Sequence, residues 1–107
     1  MDPMEQAMVD VERLRETLPK LREDFTVSGR IRYHQTLLDL VERQHNMYTR
    51  LMLIDDPEAK YIAADMQRVA EEYMGKVKDL SMNDFFTKIK KELDFEINLL
   101  KGKEDRG

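Results

Sequence analysis

Apolar residues recur along this chain at alternating spacings of four and three, the signature of helices that pack through a narrow seam. In the first segment the positions are Ala7, Val11, Leu14, Leu18, Leu21 and Phe25, with Met4 and Met8 beside them. Asp2 as N-cap, Pro3 at the first helical position and Glu5 as the reciprocal partner open this helix. Pro19 lacks a backbone N–H and disfavours a helical Leu18, so a kink or break is expected near Thr17–Pro19, with the helix resuming to about Asp24. The run Thr26-Val-Ser-Gly-Arg30 reads as a hinge, with Ser28 placed to cap the next helix.

The second helix is expected from about Arg30 to Ile54, a rod of roughly 37 Å at 1.5 Å per residue. It carries two adjacent stripes. One is Tyr33, Leu37, Leu40, Gln44, Met47, Leu51 and Ile54; the other is His34, Leu38, Val41, His45, Tyr48 and Met52. Together they exceed the width of a single helix contact, so this helix should be the centre of the fold and touch at least two partners. Asp55-Asp56-Pro57-Glu58 then stops one helix and starts another: Asp56 caps, Pro57 takes the first position and Glu58 suits the positive end of the helix dipole. So short a link requires an antiparallel neighbour, pairing 30–54 with 57–79. The third seam is Ala63, Met66, Ala70, Tyr73, Val77 and Leu80, with Gly75 inside it. Ser81 and Asp84 form a further capping pair, followed by the apolar face Phe85, Phe86, Ile89, Leu93, Ile97 and Leu100. Gly102 is expected to end that helix, leaving 102–107 as a flexible charged tail behind a single domain of residues 1–101. The predicted fold is all-α: a central antiparallel helical hairpin flanked by an N-terminal and a C-terminal helix.

Composition sharpens this. The chain has 107 residues, 37% of them charged, and no cysteine, which excludes disulfides and thiolate chemistry and fits a reducing, cytoplasmic setting. No run of 18 apolar residues exists, so no membrane span is expected. The acidic N-terminus is not a secretory leader. The net charge of −4 divides as −3 over 1–28, +2 over 29–54, −3 over 55–80 and zero over 81–107. That distribution gives no basic stripe, so nucleic acid is not expected as a partner.

Catalytic chemistry finds little support. The serines, Ser28 and Ser81, both stand at helix starts, and neither lies in a nucleophile elbow. There is no phosphate loop and no zinc spacing, so no cofactor is expected. Glu42 and His45, three apart on one helix, could share a metal ion, as in carboxylate-bridged bundles. The chain has no second Glu-x-x-His, and the competing reading places Gln44 and His45 in a polar layer of the helix seam. His34 and His45 lie about 16 Å apart along the rod and cannot share an ion. The eight methionines serve as gap filler or as an adaptable binding surface. The expected function is therefore a non-catalytic interaction or regulatory module, a homo-oligomer or the receptor of a protein partner. Met47, Leu51, Met52, Phe85 and Phe86 are the expected docking residues.

Two stretches, 40–56 with Glu42-Arg43, Met47-Tyr48 and Ile54-Asp55-Asp56, and 81–100 with Ser81 and Phe85-Phe86, carry a resemblance. They resemble a small cyanobacterial family of about this length, known only as a domain of unknown function, and a divergent copy in a cyanobacterium or its phage would fit. The chain departs from that family in lacking its N-terminal Phe-Phe start and in extra residues around the Asp-Asp-Pro turn. The family supplies no active site to carry over. The turn and helix start at 55–66 also look like the central hairpin of phage small terminase subunits, which implies a DNA-packaging ring as an alternative.

Overall fold

The computed structural model describes residues 2–74 and 81–106, with side chains for all of these except 73, 74, 105 and 106. The described residues form α1 (Pro3–Leu21), α2 (Val27–Leu53), α3 (Pro57–Met74) and α4 (Met82–Arg106). The fold is all-α. Gly75, Val77, Leu80 and the expected end of the third helix near Asp79 lie outside the described residues.

Local chemistry sets most of the helix starts. The Asp2 carboxylate accepts from the Glu5 N–H at 2.8 Å. At α3 the Asp56 carboxylate accepts from the Glu58 N–H at 2.9 Å. At α4 the Ser81 hydroxyl accepts from the Asp84 N–H at 3.1 Å. Each bond satisfies a backbone donor that the helix itself cannot.

Three boundaries differ from expectation. α1 is not broken at Pro19 but runs through it to Leu21. Proline costs one backbone donor there, and so close to the helix end few bonds remain to be disturbed. α2 begins at Val27, with Thr26 rather than Ser28 as its cap: the Thr26 hydroxyl accepts from the Gly29 N–H at 3.0 Å. Asp24 anchors that cap, accepting from the Thr26 N–H at 3.0 Å and from its hydroxyl at 2.7 Å. Those two bonds, with Arg32 nearby, hold the Asp24 carboxyl below its ordinary pKa against a small opposing effect of burial. The Asp24 carboxylate also occupies the space a side chain on residue 29 would need, which is why glycine stands there. Finally, α4 does not stop at Gly102 but continues to Arg106. Glycine ends a helix where it adopts the left-handed conformation itself, and Gly102 instead lies inside the helix with open space around it.

α2 is the hub. It packs most extensively against α4, then α1, then α3. Val41 of α2, Ala70 of α3, and Met82, Phe86 and Leu93 of α4 make one buried cluster. Met47 and Leu51 of α2 make a second with Ala59 and Ala63 of α3, joined by Met4 of α1. Alanines on α3 let it approach α2 closely after the short turn, closing the expected hairpin. An ion pair between Arg43 and Asp10 at 3.2 Å ties α2 to α1, though pairs this exposed contribute little.

The helices lie in a flat raft of 52 × 36 × 19 Å. Its radius of gyration is 15.7 Å, against about 13 Å for a compact domain of this length.

Candidate functional site

The docking residues expected from the width of α2 do not share a surface. Met47 and Leu51 are buried between α2 and α3, Leu51 to 2% exposure. Phe86 is 3% exposed, in the cluster shared by α2, α3 and α4. These three are core, and the expectation that they face a partner is corrected. The over-wide face of α2 is real, but α1, α3 and α4 together cover most of it, leaving Met52 and Ile54 exposed at its C-terminal end. Of the five, only Met52, at 61%, is exposed, while Phe85 is half-buried against the core.

The pair Glu42 and His45 is also separated in role. Glu42 is exposed. His45 turns toward α4 and stacks on Phe86 with ring centroids 4.7 Å apart and planes 14° off parallel. Both ring nitrogens have partners. Lys90 Nζ lies 2.9 Å from Nδ1, and an ammonium can only donate, so Nδ1 offers its lone pair. Nε2 then carries the proton and donates to Asn83 Oδ1 at 3.0 Å. His45 is thus a polar link between α2 and α4. Among the described residues no group of three or more His, Cys, Asp or Glu is arranged to hold a metal ion.

A cleft of about 190 Å³ opens where the four helices meet, with Arg15, Gln44 and Asp65 at its rim and Met66, Met82 and Phe85 among its walls. Its volume falls below the roughly 300 Å³ at which small-molecule sites begin, and is closer to that of one large side chain.

Phe25, expected in the seam of the first helix, instead lies past the end of α1 and is 86% exposed. Apart from Phe25, Met8 and Val69, the large exposed apolar residues fall in two groups. One group stands at the α2–α3 tip: Met52, Leu53, Ile54 and Tyr61, with Leu53 81% exposed. The other runs along α4, where Phe95 is 63% and Leu99 48% exposed, four residues apart on one face. α4 buries Phe86, Leu93, Ile97 and Leu100. At 100° per residue, Phe95 and Leu99 lie roughly 130–170° round the helix from that buried stripe. Beside Phe95 is an open cleft of about 560 Å³, floored by Leu37 of α2 and by Ile89 and Leu93. Met52 was among the expected docking residues; Leu53, Tyr61, Phe95 and Leu99 were not, and the spacing of Phe95 and Leu99 was the available signal on α4.

Among the described residues no helix is long and apolar enough to cross a membrane. No family model, no curated protein and no solved structure matches this chain.

Proposed function

We propose that the protein is a non-catalytic interaction module that assembles with copies of itself through apolar helix faces left open by the raft. The observation that supports this is its surface. The chain exposes 7912 Å² at 12.8 kDa, whereas a compact monomer of that mass exposes about 6,300 Å². The surplus, on the order of 1,600 Å², is about twice what each partner contributes to a standard protein interface. Large apolar side chains, including Leu53, Tyr61, Phe95 and Leu99, lie within the exposed area. Exposed apolar residues scattered singly need no explanation, but grouped at the tip and along α4 they fit a surface meant to be covered.

Light scattering on the purified protein tests the reading. The expected mass is a small multiple of 12.8 kDa. A monomer at every concentration contradicts self-assembly. A mass of many protomers together with salt-sensitive DNA retention would instead favour the packaging-ring alternative raised by the 55–66 turn.

A further inference from the structure

We infer that the outer face of α4 pairs with the same face of a second copy, antiparallel, about a twofold axis near Ile97. This rests on the self-assembly proposed above and names its surface and geometry.

α4 carries a second heptad stripe on the side away from its buried one. Lys88, Glu92, Phe95, Leu99, Gly102 and Arg106 follow one another at spacings of four and three. Its principal neighbour is α2, which takes the opposite face. In an antiparallel pair centred on Ile97, Phe95 of each copy meets Leu99 of the other, giving two identical apolar layers. Gly102 has no neighbour within 4 Å of where a side chain would begin, so the helices can approach closely at the layer it shares with Glu92.

A charge pair favours this orientation. Glu92 in the seam before the centre is answered by Lys103 after it, next to the Gly102 that faces Glu92 across the seam. Both side chains are exposed. An antiparallel copy sets Glu92 of each helix beside Lys103 of the other, twice over by symmetry. A parallel, in-register copy sets Glu92 against Glu92 and Lys88 against Lys88 within the seam. Opposite charges flanking an apolar seam select partner and orientation more than they add affinity.

The test uses the full chain. Phe95→Asp with Leu99→Asp places charge in the seam at exposed positions, so helicity by circular dichroism is expected to hold while the mass by light scattering falls to that of the monomer, or by half if the tip also assembles. An unchanged mass overturns this pairing and leaves self-assembly through another face standing; a wild-type monomer overturns both. Orientation is read independently, because the chain has no cysteine of its own. Asn98→Cys lies beside the axis and is expected to cross-link to its own copy through a short bismaleimide. Gly102→Cys is expected not to, since the antiparallel register holds its two copies about 15 Å apart along the helix. Cross-linking through Gly102→Cys and not Asn98→Cys overturns the antiparallel arrangement.

Discussion

α2 and α4 both carry apolar residues around more of their circumference than one neighbour can cover, yet they end differently. α2 lies in the middle of the raft, where α1, α3 and α4 close over its two stripes as far as Leu51. α4 lies at the side with α2 as its principal neighbour, and keeps Phe95 and Leu99 in water. The width of an apolar face therefore counts the neighbours a helix needs. It does not say whether they belong to the same chain. That distinction comes from where the helix sits in the packing order, and it moves the expected contact surface from α2 to α4.

The largest expected effect sets the inner stripe of α4 against the outer. Phe86→Ala removes a ring packed on His45, Tyr48 and Phe85 and should cost about 3–5 kcal/mol in urea unfolding. Phe95→Ala, measured at a concentration where the chain is dissociated, should cost no more than about 0.5 kcal/mol. Equal losses at the two positions would remove the difference between the faces.

The next effect concerns how α2 begins. Thr26→Ala deletes the cap hydroxyl that serves Gly29 and should lower stability by about 1 kcal/mol. If Ser28→Ala were the more damaging change, the observed start of α2 would be wrong.

Two glycines give a sharper pair. Gly102→Ala on α4 has open space around it and should stabilise the monomer by up to about 1 kcal/mol, the ordinary helix preference for alanine. Gly29→Ala on α2 forces the Asp24 carboxylate off Thr26, so the same preference should be offset there. Melting temperatures of the two variants check this, and a matching gain at both would contradict it.

The smallest effect is in pH. The Asp24 pKa is lowered chiefly by the hydrogen bond from the Thr26 hydroxyl, then by the Thr26 N–H, so its charged form is favoured in the folded chain. Its contribution is complete above the ordinary Asp value of 3.8 and is lost as pH falls through the lower folded value. Carboxyl chemical shifts should titrate below 3.8 in the folded protein, moving up toward it in Thr26→Ala.

What could be read in the sequence was local chemistry and periodicity. Asp2, Asp56 and Ser81 cap helices as their spacing predicts, and the Asp-Asp-Pro turn closes the α2–α3 hairpin. The central place of α2 followed from its two stripes. Where competing local signals sat close together, the reading slipped: Thr26 took the cap two residues before Ser28 because Asp24 folds back to hold it. Pro19 and Gly102 lower helix preference, but the helices pass through both. The site residues fared worse for a physical reason. Met47 and Leu51 are covered chiefly by α3, the next helix, and Phe86 by α2 and α3; periodicity marks these faces as apolar but does not say whether the covering helix belongs to the same chain. Phe95, Leu99 and the Glu92 and Lys103 charges of α4 were present in the sequence, but counting α4 as a single apolar face concealed them.

The most direct measurement is the solution mass of a charge-reversal set at low salt. Glu92→Lys alone and Lys103→Glu alone each place like charges across the antiparallel seam, and each should shift the protein toward the 12.8 kDa monomer. Glu92→Lys with Lys103→Glu rebuilds the same pairs with signs exchanged and should restore the wild-type mass. If the double variant stays as dissociated as the single ones, or if neither single variant changes the mass, α4 does not pair with itself in this way.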